Sequence, residues 1–480
     1  MPPSALLLLA IVLLWPAAPP PATAQAVDLP DLGEASEAVV SPAEERRLGE
    51  NFIRAARRQL HFLDDPELNA YLNRLGGRLA RQSGAPQPFH FFLIDNPDLN
   101  AFAVPGGYVG VHTGLVLATR NEAELASVLA HEVAHVSQRH LPRMLMRAKQ
   151  QSLPTMAAII AAAMLGGQAG EAAIALTAAS QAKHQLDYTR EFEREADRIG
   201  MQVLARAGFD PRAMPAFFER LQQGSRIYET GLPDFLRTHP VTSDRIAESR
   251  GRAERYPPGR RNSLDFRKFQ ARIRVVAGGR QGNALAYFRA KVRDPRARGE
   301  EAVAWRYGYA LALLQAGRHE AARAQVRQLL ARDPEDPDFL VLEGEIALAA
   351  GRVAEAVEIL GRARRRHPRQ VSLVRHYGRA LLRAGRAGEA QRLLERAVRD
   401  HAQDPNLQRL LSRAASANGD SLTAHRAMAE YYYLNGNGHA AIDQLQIAAR
   451  LARGNYYQQA SIEARLKEIK EELERFRGRS

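Results

Sequence analysis

Apolar positions along this chain follow two local rhythms. Short apolar runs at residues 89–94, 100–104 and 108–111, the last two separated by Pro105-Gly106-Gly107, read as strands around a tight turn. From residue 121 the rhythm turns helical. Asn121 is a good cap, and Glu122 and Glu124 fall in the first turn, where carboxylates favour the helix dipole. Residues 154–180 carry a single ionisable side chain, Glu171, and raise the suspicion of a membrane span. Gly166, Gly167, Gln168, Gly170 and Glu171 divide the stretch into two runs, each too short to cross a bilayer core of about 30 Å. A helical hairpin over a cleft fits it best; the other readings are a segment resting on a membrane surface and a true span.

A third, longer rhythm governs the C-terminal half. Gly317, Gly351, Gly385 and Gly419 stand 34 residues apart, and each is followed five positions later by alanine, at Ala322, Ala356, Ala390 and Ala424. Pro334 and Pro368 keep the same register, as do Gly344 and Gly378. This period, with small residues at helix contacts and proline between units, is the tetratricopeptide pattern. Gly436 followed by Ala441 continues the array out of register. Such a solenoid offers a concave surface that recruits proteins rather than catalyses. Residues 461–476, with Glu463, Lys467, Glu471 and Glu474 available for pairs, form a charged helix that would cap it.

Candidate chemistry lies in Leu129-Ala130-His131-Glu132-Val133-Ala134-His135, an H-E-x-x-H inside an apolar segment free of glycine and proline. Four-residue spacing stacks His131 and His135 on one helix face, where they can share a metal, with Glu132 beside them to deprotonate water. Alone, the motif is equally a solvated helix bearing two histidines. A third ligand is therefore sought in the helical run 191–200, where Glu193 and Asp197 share a face. Glu193 can complete a His₂Glu zinc site, and Asp197 can accept the free ring N–H of a ligating histidine. The competing reading is an exposed helix of Glu–Arg pairs, which the upstream motif makes the weaker one. His239 and Arg245, in the segment 238–245, are the nearest candidates for a second donor to a developing oxyanion.

Taken in order, Asn100-Ala101-Phe102-Ala103-Val104-Pro105-Gly106-Gly107-Tyr108-Val109, Gly114-Leu115, His131-Glu132-x-x-His135, Glu193-x-x-x-Asp197 and His239-Pro240 resemble the gluzincin zinc metalloproteases of the CAAX prenyl protease-like family. The resemblance implies His131, His135 and Glu193 as ligands of one Zn²⁺ per chain, with Glu132 as general base. It implies that the segment from Asn100, Ala101, Phe102 and Ala103 to Val111 receives substrate as an added strand; an ordinary hairpin would look the same. It also offers His239 a role as a fourth zinc ligand that holds the enzyme latent, beside the oxyanion role and a purely structural one. In biology it implies quality control and assembly of outer-membrane β-barrel proteins, with unfolded or stalled clients and their assembly machinery recruited by the repeats. Two rivals stand beside it, a chaperone or scaffold with a mostly latent metal site and a broad housekeeping peptidase.

Composition adjusts this picture at three points. Residues 1–26, with an apolar core at 5–15 and small residues at Ala22, Ala24 and Ala26, read as a cleaved signal peptide, the alternative being an uncleaved anchor, and direct the chain to the periplasm. The absence of cysteine from all 480 residues excludes disulfides, zinc–thiolate sites and thiol catalysis. Of the formal net charge of +14, most arises between Arg250 and Glu300, where fifteen Arg or Lys face four Asp or Glu. A solvated linker is the first reading of that stretch, with peripheral contact to anionic lipid or an acidic partner as the second. Nucleic acid is no partner for a secreted chain. The expected fold is α+β, mostly α. A signal peptide (1–26) precedes a zincin-type metalloprotease domain with a small sheet (27–255) and a basic helical connector (256–302). An all-α tetratricopeptide solenoid (303–455) and a capping helix (456–480) follow.

Overall fold

The computed structural model describes residues 40–148, 179–225, 234–277 and 284–477. The expected signal peptide and, apart from its last two residues, the low-charge stretch 154–180 lie outside the described residues.

Helix α1 (Pro42–Gln59) starts at a capping box in which the Glu44 carboxylate accepts the Ser41 N–H at 2.9 Å and the Ser41 hydroxyl accepts the Glu44 N–H at 3.3 Å. In α2 (Pro66–Ala80), Asp65 caps the N-terminus while Leu68, Leu72, Leu75 and Leu79, at helical spacing, enter the core. Strands β1 (His90–Ile94), β2 (Ala101–Val104) and β3 (Tyr108–His112) form one sheet in the order β1-β3-β2. Strand β1 runs parallel to β3 with His90 opposite Tyr108, and β2 runs antiparallel to it with Ala101 opposite Val111. A 3₁₀ turn at Pro105–Gly107 joins β2 to β3, and Gly106 takes φ 77° there. Both outer strands have edges. On β1 the Asn73 side chain covers part of that edge, accepting the Phe91 N–H at 3.0 Å and donating to its carbonyl at 2.8 Å.

Among the described residues, six helices complete the protease part after the short α3 (Thr113–Ala118): α4 (Glu122–Ser137), α5 (His140–Ala148), α6 (Ala179–Arg206), α7 (Ala213–Ser225), α8 (Asp234–Thr238) and α9 (Ser243–Ala253). Helix α4 runs through the core, with every residue from Glu122 to Ala134 buried. Helix α6 packs along it at close range because Gly200 has no side chain. A Cβ at that position would lie 3.0 Å from the Ala130 carbonyl oxygen and 3.1 Å from the His131 Cα.

Helices α10 (Leu264–Val276) and α11 (Ala284–Arg293) lead into α12 (Gly299–Gln315), α13 (His319–Arg332), α14 (Pro337–Ala349), α15 (Val353–Arg366), α16 (Val371–Arg383), α17 (Ala387–Asp400), α18 (Pro405–Ala417), α19 (Ser421–Leu434), α20 (Gly438–Leu451) and α21 (Tyr456–Arg477). The four periodic glycines, Gly317, Gly351, Gly385 and Gly419, all sit between paired helices at φ 71–80°, with nothing within 4 Å of a Cβ placed there. Backbone conformation rather than space explains them. The alanines five positions on are buried between helices, and Gly344 receives the Leu360 side chain.

Most basic side chains of the stretch after Arg250 are exposed, as a solvated segment requires, but the stretch is helical and its centre is packed. Lys268 and Arg272 of α10 are buried and saturated with acids. Lys268 Nζ lies 2.6 Å from Asp336 and 2.7 Å from Asp338, and Arg272 lies 2.8 Å from Asp65 and 2.7 Å from Glu67. Arg260 and Arg261 likewise meet Glu122 and Asp210. The surplus of positive charge is legible in the sequence, but its acids come from distant helices. These contacts make α10 the seam between protease and repeats, and His376 of α16 adds a 2.8 Å contact to the same Glu67. At the far end Arg54 of α1 pairs with Glu472 of α21 and stacks 4.4 Å over Tyr433. Between sheet and repeats lies a cleft of about 820 Å³ floored by Phe62, Leu63 and Phe92; it does not include the histidine cluster described next. Among the described residues, no helix is long and apolar enough to cross a membrane.

Candidate metal centre

Because α4 is buried on all sides, its polar side chains must find partners inside the protein. Glu122 accepts from the Tyr71 hydroxyl at 2.8 Å, and Glu124 takes both ends of the Arg220 fork at 2.5 and 2.6 Å. His131, Glu132 and His135 turn instead to other titratable groups, and His135 also meets His140 of α5. They face Glu193 and Asp197 from α6 and His239 from the turn after α8.

Four ligand atoms, one each from His131, His135, Glu193 and His239, lie within 4.8 Å of one another. The closest pairs are tighter. His131 Nε2 is 3.0 Å from His135 Nε2 and 3.3 Å from Glu193 Oε2. His135 Nε2 is 3.3 Å from Glu193 Oε1. His239 Nδ1 stands 2.9 Å from Glu193 Oε1 and 3.4 Å from His131 Nε2. Four ligands at tetrahedral zinc distances would be about 3.3 Å apart, so this donor set fits zinc in size and chemistry. Glu132 Oε1 and Glu193 Oε2 are buried without an aligned hydrogen bond, which also suits oxygens that face a cation or water.

The surroundings supply fixed charge. Burial pushes the His131 ring down, but hydrogen bonds to Asp197 and Glu193 outweigh it and carry its pKa up to about 10. Burial alone dominates at His135 and pushes it to about 4. Burial likewise raises Glu193 and Asp197, yet His239, His131 and His135 around the first, and His131 and Arg245 around the second, hold both below the usual carboxylate range. Asp197 Oδ1 is 3.0 Å from His131 Nδ1, so it can orient the ring that presents Nε2 to the cluster.

All the residues singled out around the two motifs converge here, some in unexpected postures. His239 has Nδ1 in the cluster and Nε2 3.6 Å from Glu132 Oε1. Arg245 is engaged with the two buried carboxylates, its Nη1 3.0 Å from Glu193 Oε2. Its Nε and Nη2 donate to Asp197 at 2.8 Å each, and its Nη1 donates to the Pro240 carbonyl at 2.7 Å. Asn100, Ala101, Phe102 and Ala103 fall on or beside β2, which among the described residues pairs with β3 alone. The Leu99 carbonyl just before it accepts the Phe235 N–H at 3.0 Å, tying this strand to the helix that ends at His239. Sequence reasoning missed His140, Glu195 and Arg143, which form a chain of contacts behind His135. The available signal was a third histidine five residues beyond the second.

A chain that gathers an H-E-x-x-H helix, a downstream glutamate and a third histidine in its core, beside an edge strand, is a metalloprotease by fold and site. The chain belongs to peptidase family M48, whose pattern matches residues 66–253, and tetratricopeptide patterns match residues 275–337, 310–371 and 347–414. It is 38% identical over 353 residues to the beta-barrel assembly-enhancing protease of Escherichia coli (strain K12), covering 72% of this chain and 71% of that one. It is 37% identical over 340 residues to the protein of the same name from Yersinia pestis, covering 70% and 69%. A mitochondrial metalloendopeptidase of Arabidopsis thaliana is 32% identical over 158 residues, covering 31% of this chain and 28% of its own.

Proposed function

We propose that the protein is a periplasmic endopeptidase with one zinc per chain, acting in quality control and assembly of outer-membrane β-barrel proteins. The observation that carries the catalytic part is Glu132 Oε1, buried without a hydrogen bond beside four convergent ligand atoms. A scaffold has no use for such a carboxylate. The cellular role rests on the likeness to the beta-barrel assembly-enhancing proteases, and the repeats support recruitment of protein clients.

Zinc bound by His131, His135 and Glu193 would polarise water and the scissile carbonyl. Glu132 takes the proton from that water and delivers it to the leaving amine. Asp197 keeps His131 in the tautomer that leaves Nε2 free, and Arg245 balances the buried charge of Asp197 and Glu193. Substrate joins β2, whose other edge is unpaired among the described residues, as a further strand. His239 would supply a fourth ligand to such a metal, a latent arrangement that would open when that ring withdraws. The second reading, a chaperone or scaffold with a mostly latent site, draws on the same fourth ligand.

Metal content and casein cleavage of the mature protein test this, with wild type beside Glu132→Gln and His239→Ala. One zinc per chain, cleavage lost in Glu132→Gln and raised in His239→Ala are expected. Zinc without cleavage in both wild type and His239→Ala would favour the scaffold, and absence of zinc would overturn the ligand assignment.

A further inference from the structure

Behind His135 the chain makes a contact that the zinc and the base do not account for. Arg139, two residues past the end of α4, has φ 51°, a left-handed conformation that non-glycine residues rarely adopt. Its side chain is anchored on Glu45 and the Val40 carbonyl, the latter at 2.7 Å. The kink breaks the helix and starts α5 so that His140 returns beneath His135. His140 Nδ1 then lies 2.9 Å from His135 Nδ1, and His140 Nε2 lies 3.1 Å from Glu195 Oε2. Arg143 Nη1 donates to the same Glu195 oxygen at 2.9 Å. The Phe192 ring stacks on the His140 ring with centroids 4.3 Å apart, which fixes its plane and leaves its nitrogens at the edge.

Two imidazole nitrogens at 2.9 Å need one proton between them, and the chemistry at each end decides where it sits. With Nε2 of His135 turned to the cluster as a lone pair, its Nδ1 carries hydrogen and donates. His140 must accept through Nδ1, so its hydrogen is on Nε2, which faces a carboxylate held by an arginine. Every donor meets an acceptor in this arrangement. The reverse order would put the hydrogen on His135 Nε2 and would leave Glu195 facing a lone pair.

We infer that His140 is a positioning residue for the metal, completing a Glu195–His140–His135 relay that holds His135 in its ligating tautomer. The inference rests on His135 being a metal ligand. It makes the two ligand histidines inequivalent: His131 is oriented directly by Asp197, whereas His135 reaches its carboxylate through a second imidazole.

The test is zinc affinity, by competition with a chromophoric chelator, on wild type, His140→Phe, His140→Asn and Glu195→Gln, together with the thermal midpoint of each metal-free protein. His140→Phe keeps the ring stacked on Phe192 but cannot accept a hydrogen bond, and about 10- to 100-fold weaker zinc binding is expected. His140→Asn offers an oxygen near the lost Nδ1 and should restore most of the affinity. Glu195→Gln approaches the relay from its other end and should weaken binding in the same direction. The metal-free midpoints of His140→Phe and His140→Asn should agree. Wild-type affinity in both His140→Phe and Glu195→Gln, or a loss that His140→Asn shares in full, would overturn the relay and leave His140 a packing residue. Wild-type protein that binds no stoichiometric zinc would instead remove the ligand assignment on which the relay depends.

Discussion

His239 Nδ1 stands 2.9 Å from Glu193 Oε1, although the two residues belong to separate helical segments and are 46 positions apart. The contact puts an imidazole where a fourth ligand would bind and brings its other nitrogen towards Glu132. His239→Ala should therefore release activity. If the closed state outnumbers the open one tenfold, casein cleavage rises about 10-fold. The double variant with Glu132→Gln should stay inactive, and a His239→Ala protein no faster than wild type would remove the gating role.

Arg245 is the only arginine or lysine within 4 Å of both Glu193 and Asp197 among the described ion pairs, and it is nearly inaccessible. Replacing it by alanine leaves two carboxylates buried beside each other. Arg245→Ala should lower the stability of the metal-free protein by about 3–5 kcal/mol, read from urea unfolding. Arg245→Lys should recover part of that loss without restoring the fork to Asp197.

Gly200 sets the spacing of α4 and α6. Valine there would press its side chain on the Ala130 carbonyl and the His131 backbone and displace Glu193 from the histidines. Gly200→Val should cost about 1–3 kcal/mol by overpacking and should also weaken zinc retention during dialysis. A variant that loses stability yet keeps zinc would show that the ligands do not depend on this helix contact.

His376 bridges Glu67 of α2 and Glu345 of α14, with Arg272 of α10 against both acids. Burial lowers the His376 pKa, but the two carboxylates outweigh it and leave the ring above its ordinary 6.5. A raised folded value means that this contribution is complete below about pH 6.5 and is lost as pH rises through the folded value. Glu67 is depressed, against its own burial, by Arg272 and His376, so its contribution is complete above its ordinary 4.5 and is lost as pH falls. Thermal midpoints should thus decline on the alkaline side in wild type, and His376→Gln should flatten that limb while shrinking the acid limb only to the part that Arg272 sustains. Parallel curves for the two proteins would rule out a charged His376 at the seam.

Much of this protein was legible before folding was considered, where the information is local. Helical pitch alone stacks His131 over His135 and Glu193 over Asp197. The 34-residue period marks helix pairs because each turn between them needs φ near 75°, which glycine adopts freely. Reading the stretch after Arg250 as solvated fails at Lys268 and Arg272 of α10, and for a physical reason. A buried cation looks the same in sequence as an exposed one until its carboxylates arrive, and those of Arg272 lie more than 200 residues upstream on α2 and about 70 downstream on α14.

The sequence by itself determined the class of chemistry, because ligand types and their spacing within one helix are set by covalent order and pitch. Tertiary structure alone decided how the two halves of the site meet. Gly200 lets α6 approach α4, the kink at Arg139 folds His140 under His135, and the turn after α8 carries His239 into the ligand set. Each is a distance between residues far apart in sequence or across a helix break. Such distances follow from packing, to which every surrounding side chain contributes and which no short motif encodes.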